Sequence, residues 1–187
     1  MRNTFPRPPE GMDANHHAVF AYKHPLVREA IWQVKYNRNR ILTNTLGGII
    51  AEEIVELLSE NLSVQKEREI LLIPIPISTT RRRERGYNQS ELLARAVSEH
   101  CPGLHLLYSP NLLLKTKETH HQSKSKNRQE RLKNLIDSFS VTDKDRIADK
   151  TVILIDDVIT TGATMREAEK TLIKYGAKEI ICIALAH

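Results

Sequence analysis

One stretch near the C-terminal end decides the fold of this chain: Val152-Ile153-Leu154-Ile155-Asp156-Asp157-Val158-Ile159-Thr160-Thr161-Gly162-Ala163-Thr164. An apolar run ends in two adjacent carboxylates, and small hydroxyl-bearing residues, a glycine and a helical pattern follow. The run from Thr151 to Ile155 predicts a strand buried on both faces of a parallel sheet. Because ligands of open α/β sheets bind beyond the carboxyl ends of the strands, this junction is a candidate ligand site.

The residues of the junction suit a ribose phosphate. Asp156 and Asp157 can hold sugar hydroxyls, and a helix N-terminus offers unsatisfied backbone N–H groups that favour a phosphate. An ordinary capped turn would explain an isolated acid pair, but the complete order of strand, acids, glycine loop and helix is more specific. The predicted phosphate loop consists of Thr160, Thr161, Gly162, Ala163 and Thr164.

Alternating apolar runs and helical patterns predict an α/β fold. A capping box, Thr164 to Glu167, opens the last predicted helix, and Gly176 closes it. The following apolar strand completes a βαβ unit with parallel strands. The predicted strands are 18–22, 70–75, 104–107, 138–141, 151–155 and 179–186, the predicted helices are 25–37, 43–61, 89–100 and 164–175, a long loop covers 116–126, and a helical turn or two lies within 130–136.

Composition indicates one ordinary globular domain. The chain has 187 residues, of which 40% are hydrophobic and 27% charged. Since no apolar run approaches the ~20 residues that span a bilayer, we expect no membrane segment and a cytoplasmic protein. The polar N-terminus predicts a flexible arm at 1–17, followed by a domain at 18–187. The two cysteines, Cys101 and Cys182, lie far apart without a CxxC pair, which supports neither a disulfide nor a zinc site.

The net charge of +5 indicates an anionic partner, and both phosphate groups and nucleic acid qualify. The basic residues concentrate in Arg81–Arg85 and in Lys115–Lys133, where solvated surface charge is the simpler alternative. Aromatic residues make up only 5% of the chain, and few lie among these clusters. A stacking platform for single-stranded nucleic acid would need more of them.

The motif at 152–164 resembles the phosphoribosyl pyrophosphate (PRPP) motif of type I phosphoribosyltransferases, and the rest of the chain resembles their ComF family. The matching residues are Tyr22, Lys35-Tyr36, Pro74-Ile75-Pro76, Arg81, Arg85-Gly86-Tyr87-Asn88-Gln89, Leu93-Ala94, Gln122, Glu130-Arg131, Asn134 and Phe139. Many ComF-like proteins carry an N-terminal cysteine zinc ribbon. This chain has no cysteine before Cys101, so no metal role or DNA contact of that ribbon is carried over.

The resemblance implies the type I phosphoribosyltransferase fold, a mainly parallel twisted sheet flanked by helices with a mobile hood loop at 115–133. It also implies displacement of pyrophosphate from PRPP by a nitrogen nucleophile. Mg²⁺ would be carried by PRPP near Asp156 and Asp157, with no directly protein-bound metal. The implied pyrophosphate and hood contacts are Arg81, Arg85, Asn88, Gln122 and Arg131. His120 and His121 are more simply surface residues than acid–base groups.

Two functions remain open. The chain is either an active transferase, with a nucleobase as one candidate acceptor, or a PRPP-, nucleotide- or DNA-associated protein of DNA uptake or regulation that does not turn over. A phosphoacceptor receiver domain is disfavoured because its acid pair would lie near the N-terminus. Little chain follows Ala186, so the hood or a second subunit of a homodimer would have to complete a base pocket.

Overall fold

The computed structural model describes residues 13–60, 69–117 and 136–187. In chain order the elements are β1 (His16–Phe20), α1 (Pro25–Tyr36), α2 (Arg40–Glu60), β2 (Ile70–Pro74), α3 (Thr79–Arg85), α4 (Gln89–His100), β3 (Leu106–Tyr108), β4 (Leu113–Lys115), β5 (Phe139–Val141), β6 (Thr151–Val158), α5 (Ala163–Lys174) and β7 (Glu179–Ala186). Five strands form one sheet in the order β1-β7-β6-β2-β3, and every pairing in it is parallel. The predicted α/β class is confirmed.

The central strands are apolar throughout because both faces of the sheet are covered. On β6, Ile153 and Ile155 pack into one core, whereas Val152 and Leu154 pack into a second core on the other face. β2 and β7 alternate between the same two cores. A strand that is buried on both faces loses the apolar–polar alternation of a half-buried strand, which explains the continuous apolar runs.

Helices α1, α2 and α4 cover the first face, and α5 covers the second together with β4 and β5. The α2 and α4 helices lie very close at Gly47, where an added Cβ would stand 2.4 Å from the Cβ of Ala96. Helix α1 buries Val27, Ile31 and Val34. Leu26, at the start of this helix, is 62% exposed, and its neighbour Val27 takes the inward position.

Several predicted boundaries differ from the structure. Strand β1 begins at His16 rather than Ala18, so part of the predicted arm belongs to the sheet. The predicted edge strand near Phe139 does not join the main sheet, since β5 pairs with β4 in a separate antiparallel pair. Gly162 occupies the N-cap position of α5, which makes the capping box at Thr164 wrong. Gly176 follows the helix with a φ of +90°, as expected for its end.

Some predictions concern residues outside the described part of the chain. These are the arm up to residue 12, most of the hood at 115–133 with Gln122 and Arg131, the pair His120-His121, and nearly all of the helical turn at 130–136. Within the described ranges, no helix combines the length and apolar character that crossing a bilayer requires.

Candidate functional site

The two acids lie within β6 itself, near its C-terminal end, and not in the loop that follows the strand. Asp156 pairs in register with Ala184 and Val158 pairs with Ala186, so the strand extends three residues beyond the predicted end at Ile155. Asp157 is 9% exposed and its Oδ2 lies 3.0 Å from Nζ of Lys35 on α1. Asp156 Oδ1 accepts a hydrogen bond of 2.8 Å from the Ser90 hydroxyl on α4. The acid pair is therefore held from two helices on the same face of the sheet.

The Asp156 carboxyl has an unusual proton affinity. Burial, reinforced by the negative charge of neighbouring Asp157, raises its pKa from 3.8 to about 7. Hydrogen bonds from Ser90 and from the Asp157 backbone N–H act in the opposite direction but are outweighed. Near neutral pH the Asp156 carboxyl is therefore partly protonated. A nearby cation or a set of hydroxyl donors would stabilise its ionised form.

The start of α4 is fixed by side chains that bridge to β2. Asn88 Oδ1 accepts from the Ser90 backbone N–H as the helix cap, and its Nδ2 donates to the Ile75 carbonyl at 2.9 Å. Asn88 therefore has structural tasks, and its predicted contact with pyrophosphate stays a prediction. The Gln89 side-chain amide nitrogen is buried without a hydrogen-bond partner among the described residues. A bound ligand could accept from it.

The predicted phosphate loop turns through Gly162 in a left-handed conformation with a φ of +72°. The side chain of Arg166 folds back over this turn and donates to the Thr161 carbonyl. Its other nitrogen lies 2.9 Å from the Asp13 carboxylate. An added Cβ at Gly162 would stand 2.8 Å from that guanidinium, which is the end of a flexible side chain and can shift, so glycine is required by the backbone conformation.

The arginine block forms α3, which the sequence did not predict as a helix. Ser78 caps this helix, and Gly86 ends it with a φ of +77°. Arg81 and Arg85 are half-buried, and the Arg85 guanidinium carbon lies 5.7 Å from the centre of the Tyr36 ring. A cavity of about 400 Å³ opens between α1 and α3, lined by Lys35, Tyr36, Glu84, Arg85 and Tyr87. Since Lys35 also contacts Asp157, this cavity adjoins the acid pair.

Sequence reasoning omitted three residues from the site: Lys35, Ser90 and Gln89. Lys35 and Gln89 belong to the quoted family segments, but no local pattern connects them with the acids. Lys35 reaches Asp157 only because α1 ends beside β6, and Ser90 reaches Asp156 only because α4 begins there. Contacts between residues so far apart in the chain depend on the fold.

The fold and this site define a phosphoribosyltransferase-like protein, and comparison with known sequences agrees. Residues 108–187 match the family described as "Phosphoribosyl transferase domain". Competence protein ComFC of Streptococcus pneumoniae is 31% identical over 179 residues, which cover 94% of this chain and 70% of that protein. The chain belongs to the ComF-like family of the type I phosphoribosyltransferase superfamily.

Two further relatives show what share of a related protein's length this chain covers. Competence protein F of Haemophilus influenzae is 38% identical over 119 residues, 62% of this chain and 49% of that protein. DNA utilization protein YhgH of Escherichia coli K12 is 25% identical over 158 residues, 83% of this chain and 65% of that protein. The chain thus spans between about half and 70% of these relatives.

Proposed function

We propose that this chain binds PRPP with Mg²⁺ at the carboxyl end of β6 and transfers its phosphoribosyl group to a nitrogen acceptor, with release of pyrophosphate. The observation that carries the proposal is the acid pair of Asp156 and Asp157, joined within a few residues to a glycine turn that opens α5. Membership of the ComF-like family supports it. The predicted cytoplasmic location and homodimer remain predictions.

Each part of the site has a separate task in this proposal. Asp156 and Asp157 hold the ribose hydroxyls, and their negative charge favours an oxocarbenium-like transition state. The turn from Thr160 to Thr164 holds the 5′-phosphate with its backbone N–H groups. Arg81 and Arg85 contact the pyrophosphate, for which planar guanidinium groups are well suited. Gln122 and Arg131, which lie outside the described residues, are further candidate contacts to the ligand on the family resemblance alone.

The donor set fits Mg²⁺ that arrives with its substrate. Magnesium prefers carboxylate oxygens and phosphates and keeps several of its waters. Asp156 and Asp157 provide carboxylates at one strand end. The raised pKa of Asp156 indicates that a bound cation would stabilise the ionised form of this carboxyl. Bound Mg²⁺ would offset the charge of the pyrophosphate leaving group. Lys35 keeps Asp157 in place and does not itself need to touch the ligand.

Binding of PRPP is the first test. In isothermal titration with Mg²⁺ present, Asp157→Asn should bind PRPP at least ~10-fold more weakly, because hydrogen bonds to a charged group contribute ~1.5–3 kcal/mol. Asp145→Asn, which changes an exposed acid of the β5–β6 connection, should bind like the wild type. Equal affinity of wild type and Asp157→Asn would overturn the proposed role of the acid pair.

Turnover is the second test. Pyrophosphate release should be measured with PRPP, Mg²⁺ and a panel of nucleobases and amines, and one acceptor should raise it above the rate of PRPP alone. The Asp156→Asn and Asp157→Asn variants should lose this increase. Tight PRPP binding without release for any acceptor would contradict the transferase activity and leave the binding function in place.

The names of the relatives favour a second candidate. Those proteins are called competence and DNA utilization proteins. A PRPP- or nucleotide-binding protein that associates with DNA without turnover would suit the net charge of +5. Binding of a labelled oligonucleotide, measured over a range of salt concentrations with and without PRPP, distinguishes the two, since phosphate contacts weaken steeply with salt.

A further inference from the structure

A second group of ligand-type side chains lies where α5 packs against the neighbouring strands β1 and β7. His16 on β1 and Cys182 on β7 are register partners in neighbouring parallel strands, so they lie side by side on one face of the sheet. Glu169 of α5 packs over them. One donor atom from each of these three residues lies within 4.8 Å of the other two. Nothing in the proposed reaction uses them.

The neighbours of this group orient it as ligands are oriented in metal sites. His16 Nε2 lies 3.4 Å from Glu169 Oε2, and the other ring nitrogen, Nδ1, lies 3.6 Å from Asp13 Oδ2. Asn15 donates to the second oxygen of Glu169 at 2.6 Å. A carboxylate on the far nitrogen of a ligating histidine fixes its tautomer, and a hydrogen-bonded carboxylate fixes the ligand oxygen.

The group is largely shielded from solvent but can be reached from one side. The side chains of His16 and Cys182 are buried, while Glu169 keeps 20% of its side chain exposed and so leaves an access route.

We propose that His16, Glu169 and Cys182 form a Zn²⁺ site that ties the edge strand β1 to β7 and α5. One nitrogen, one sulfur and one oxygen suit zinc, whereas Mg²⁺ prefers oxygen alone. Tetrahedral zinc places its ligand atoms ~3.3–3.8 Å apart, as expected from metal–ligand bonds of ~2.0–2.3 Å. His16 and Glu169 already meet this distance, and side-chain rotation brings in the Cys182 sulfur. Water takes the fourth position.

This site cannot be recognised from the sequence, because the spacing of the three ligands matches no zinc-binding motif. Residues 16, 169 and 182 come from the two ends of the chain, and the parallel pairing of β1 with β7 brings them together. The site is also separate from the acid pair. Asp13 connects the two regions, since it approaches both His16 and Arg166, which covers the glycine turn.

The test uses the full chain, purified without a histidine tag, loaded with Zn²⁺ or Co²⁺ and freed of excess metal by gel filtration. Elemental analysis should find one ion per chain, and Co²⁺ should show the thiolate charge-transfer band of a Co–S bond. Zn²⁺ should raise the Tm. Asp13→Asn should bind ~10-fold more weakly, in line with losses on removing such outer carboxylates.

The two free, buried cysteines provide a matched control. Cys182→Ser and Cys182→Ala should lose the ion, the cobalt band and the rise in Tm, while Cys101→Ser should keep all three. Glu169→Gln, on the accessible side, should also lose them. The proposal is overturned if the folded wild type holds no stoichiometric ion, if its cobalt form lacks the thiolate band, or if the Cys182 variants bind as tightly as the wild type.

Discussion

Among single residues, Asp156 is a carboxylic acid whose charge changes near neutral pH, well above the ordinary range of its type. Its folded pKa of about 7 exceeds the ordinary value of 3.8, so the folded protein holds a proton that the unfolded chain has released between these values. The favourable contribution is complete below the unfolded value and is lost as pH rises through the folded value. The charges of Asp157 and Lys35 act on the Asp156 carboxyl and determine how much stability is lost as the pH rises.

Asp156→Asn should therefore change the pH dependence of stability. Asparagine keeps an oxygen to accept from Ser90 but never becomes charged. Between pH 5 and pH 8 the wild type should lose on the order of 1 kcal/mol of stability that the variant keeps. The Tm of the variant relative to the wild type should therefore rise by ~2–4 °C over this range for a chain of this size. Thermal melts at both pH values measure this. A constant difference in Tm would show that Asp156 titrates normally.

Gly162 is required by its backbone conformation, a φ of +72°, whereas the Arg166 guanidinium beside it is the end of a flexible side chain that can move aside. Gly162→Ala should lower the free energy of unfolding by at least ~1–2 kcal/mol, the cost of a left-handed conformation for a side chain with Cβ. It should also weaken PRPP binding, measured by titration. Gly103→Ala is the control, because Gly103 has open space around it and no positive φ, so a comparable loss there would contradict the explanation.

Among the elements, the start of α4 depends on the side chain of Asn88. This side chain caps the helix and also donates a hydrogen bond to the carbonyl that follows β2. Asn88→Ala should cost ~2–4 kcal/mol in chemical denaturation, since it removes a cap and leaves a buried carbonyl without its donor. Ser78→Ala removes the longer, 3.4 Å cap of the short helix α3 and should cost less than ~1 kcal/mol. Equal losses would mean that the bridge to Ile75 contributes nothing.

The element boundaries show what a local pattern can predict. The apolar run of β6 identified the strand but not its end, because the pairing of Asp156 and Val158 with β7 carries the ladder through the acids. Thr164 matched a capping box, yet Gly162 starts the helix because the loop must first turn through a left-handed residue. Helix α3 was missed since its seven residues bury none of their side chains.

For the whole molecule, the close packing of α2 against α4 in the helix layer over the first core depends on Gly47. An added methyl group there would overlap Ala96 on α4, whereas at Gly48 the nearest atoms belong to the His100 ring at 3.4 Å. Gly47→Ala should destabilise the protein by ~1–3 kcal/mol through overpacking, despite its gain in helix propensity. Gly48→Ala should be neutral or stabilising by up to ~1 kcal/mol. Urea denaturation compares them, and equal effects would contradict the close packing of α2 and α4.

The candidate site follows the same division between local and distant information. The acid pair and the glycine turn lie within one short segment, so sequence alone located both; the ribose phosphate predicted as their ligand stays a prediction. Lys35 and Ser90 join them from helices that precede β6 by many residues, and their contacts exist only after the sheet order brings α1 and α4 to the carboxyl end of β6.

The position of β1 also has a consequence for biosynthesis. Among the described strands β1 pairs only with β7, in a register that joins His16 to Cys182, whereas β2 and β3 become neighbours much earlier in translation. Among the described strands, β1 must wait for β7, which is translated after the others, and closing such a long loop is slow. Until β7 has been synthesised, β1 has no partner among the described strands, and its addition then completes the described sheet.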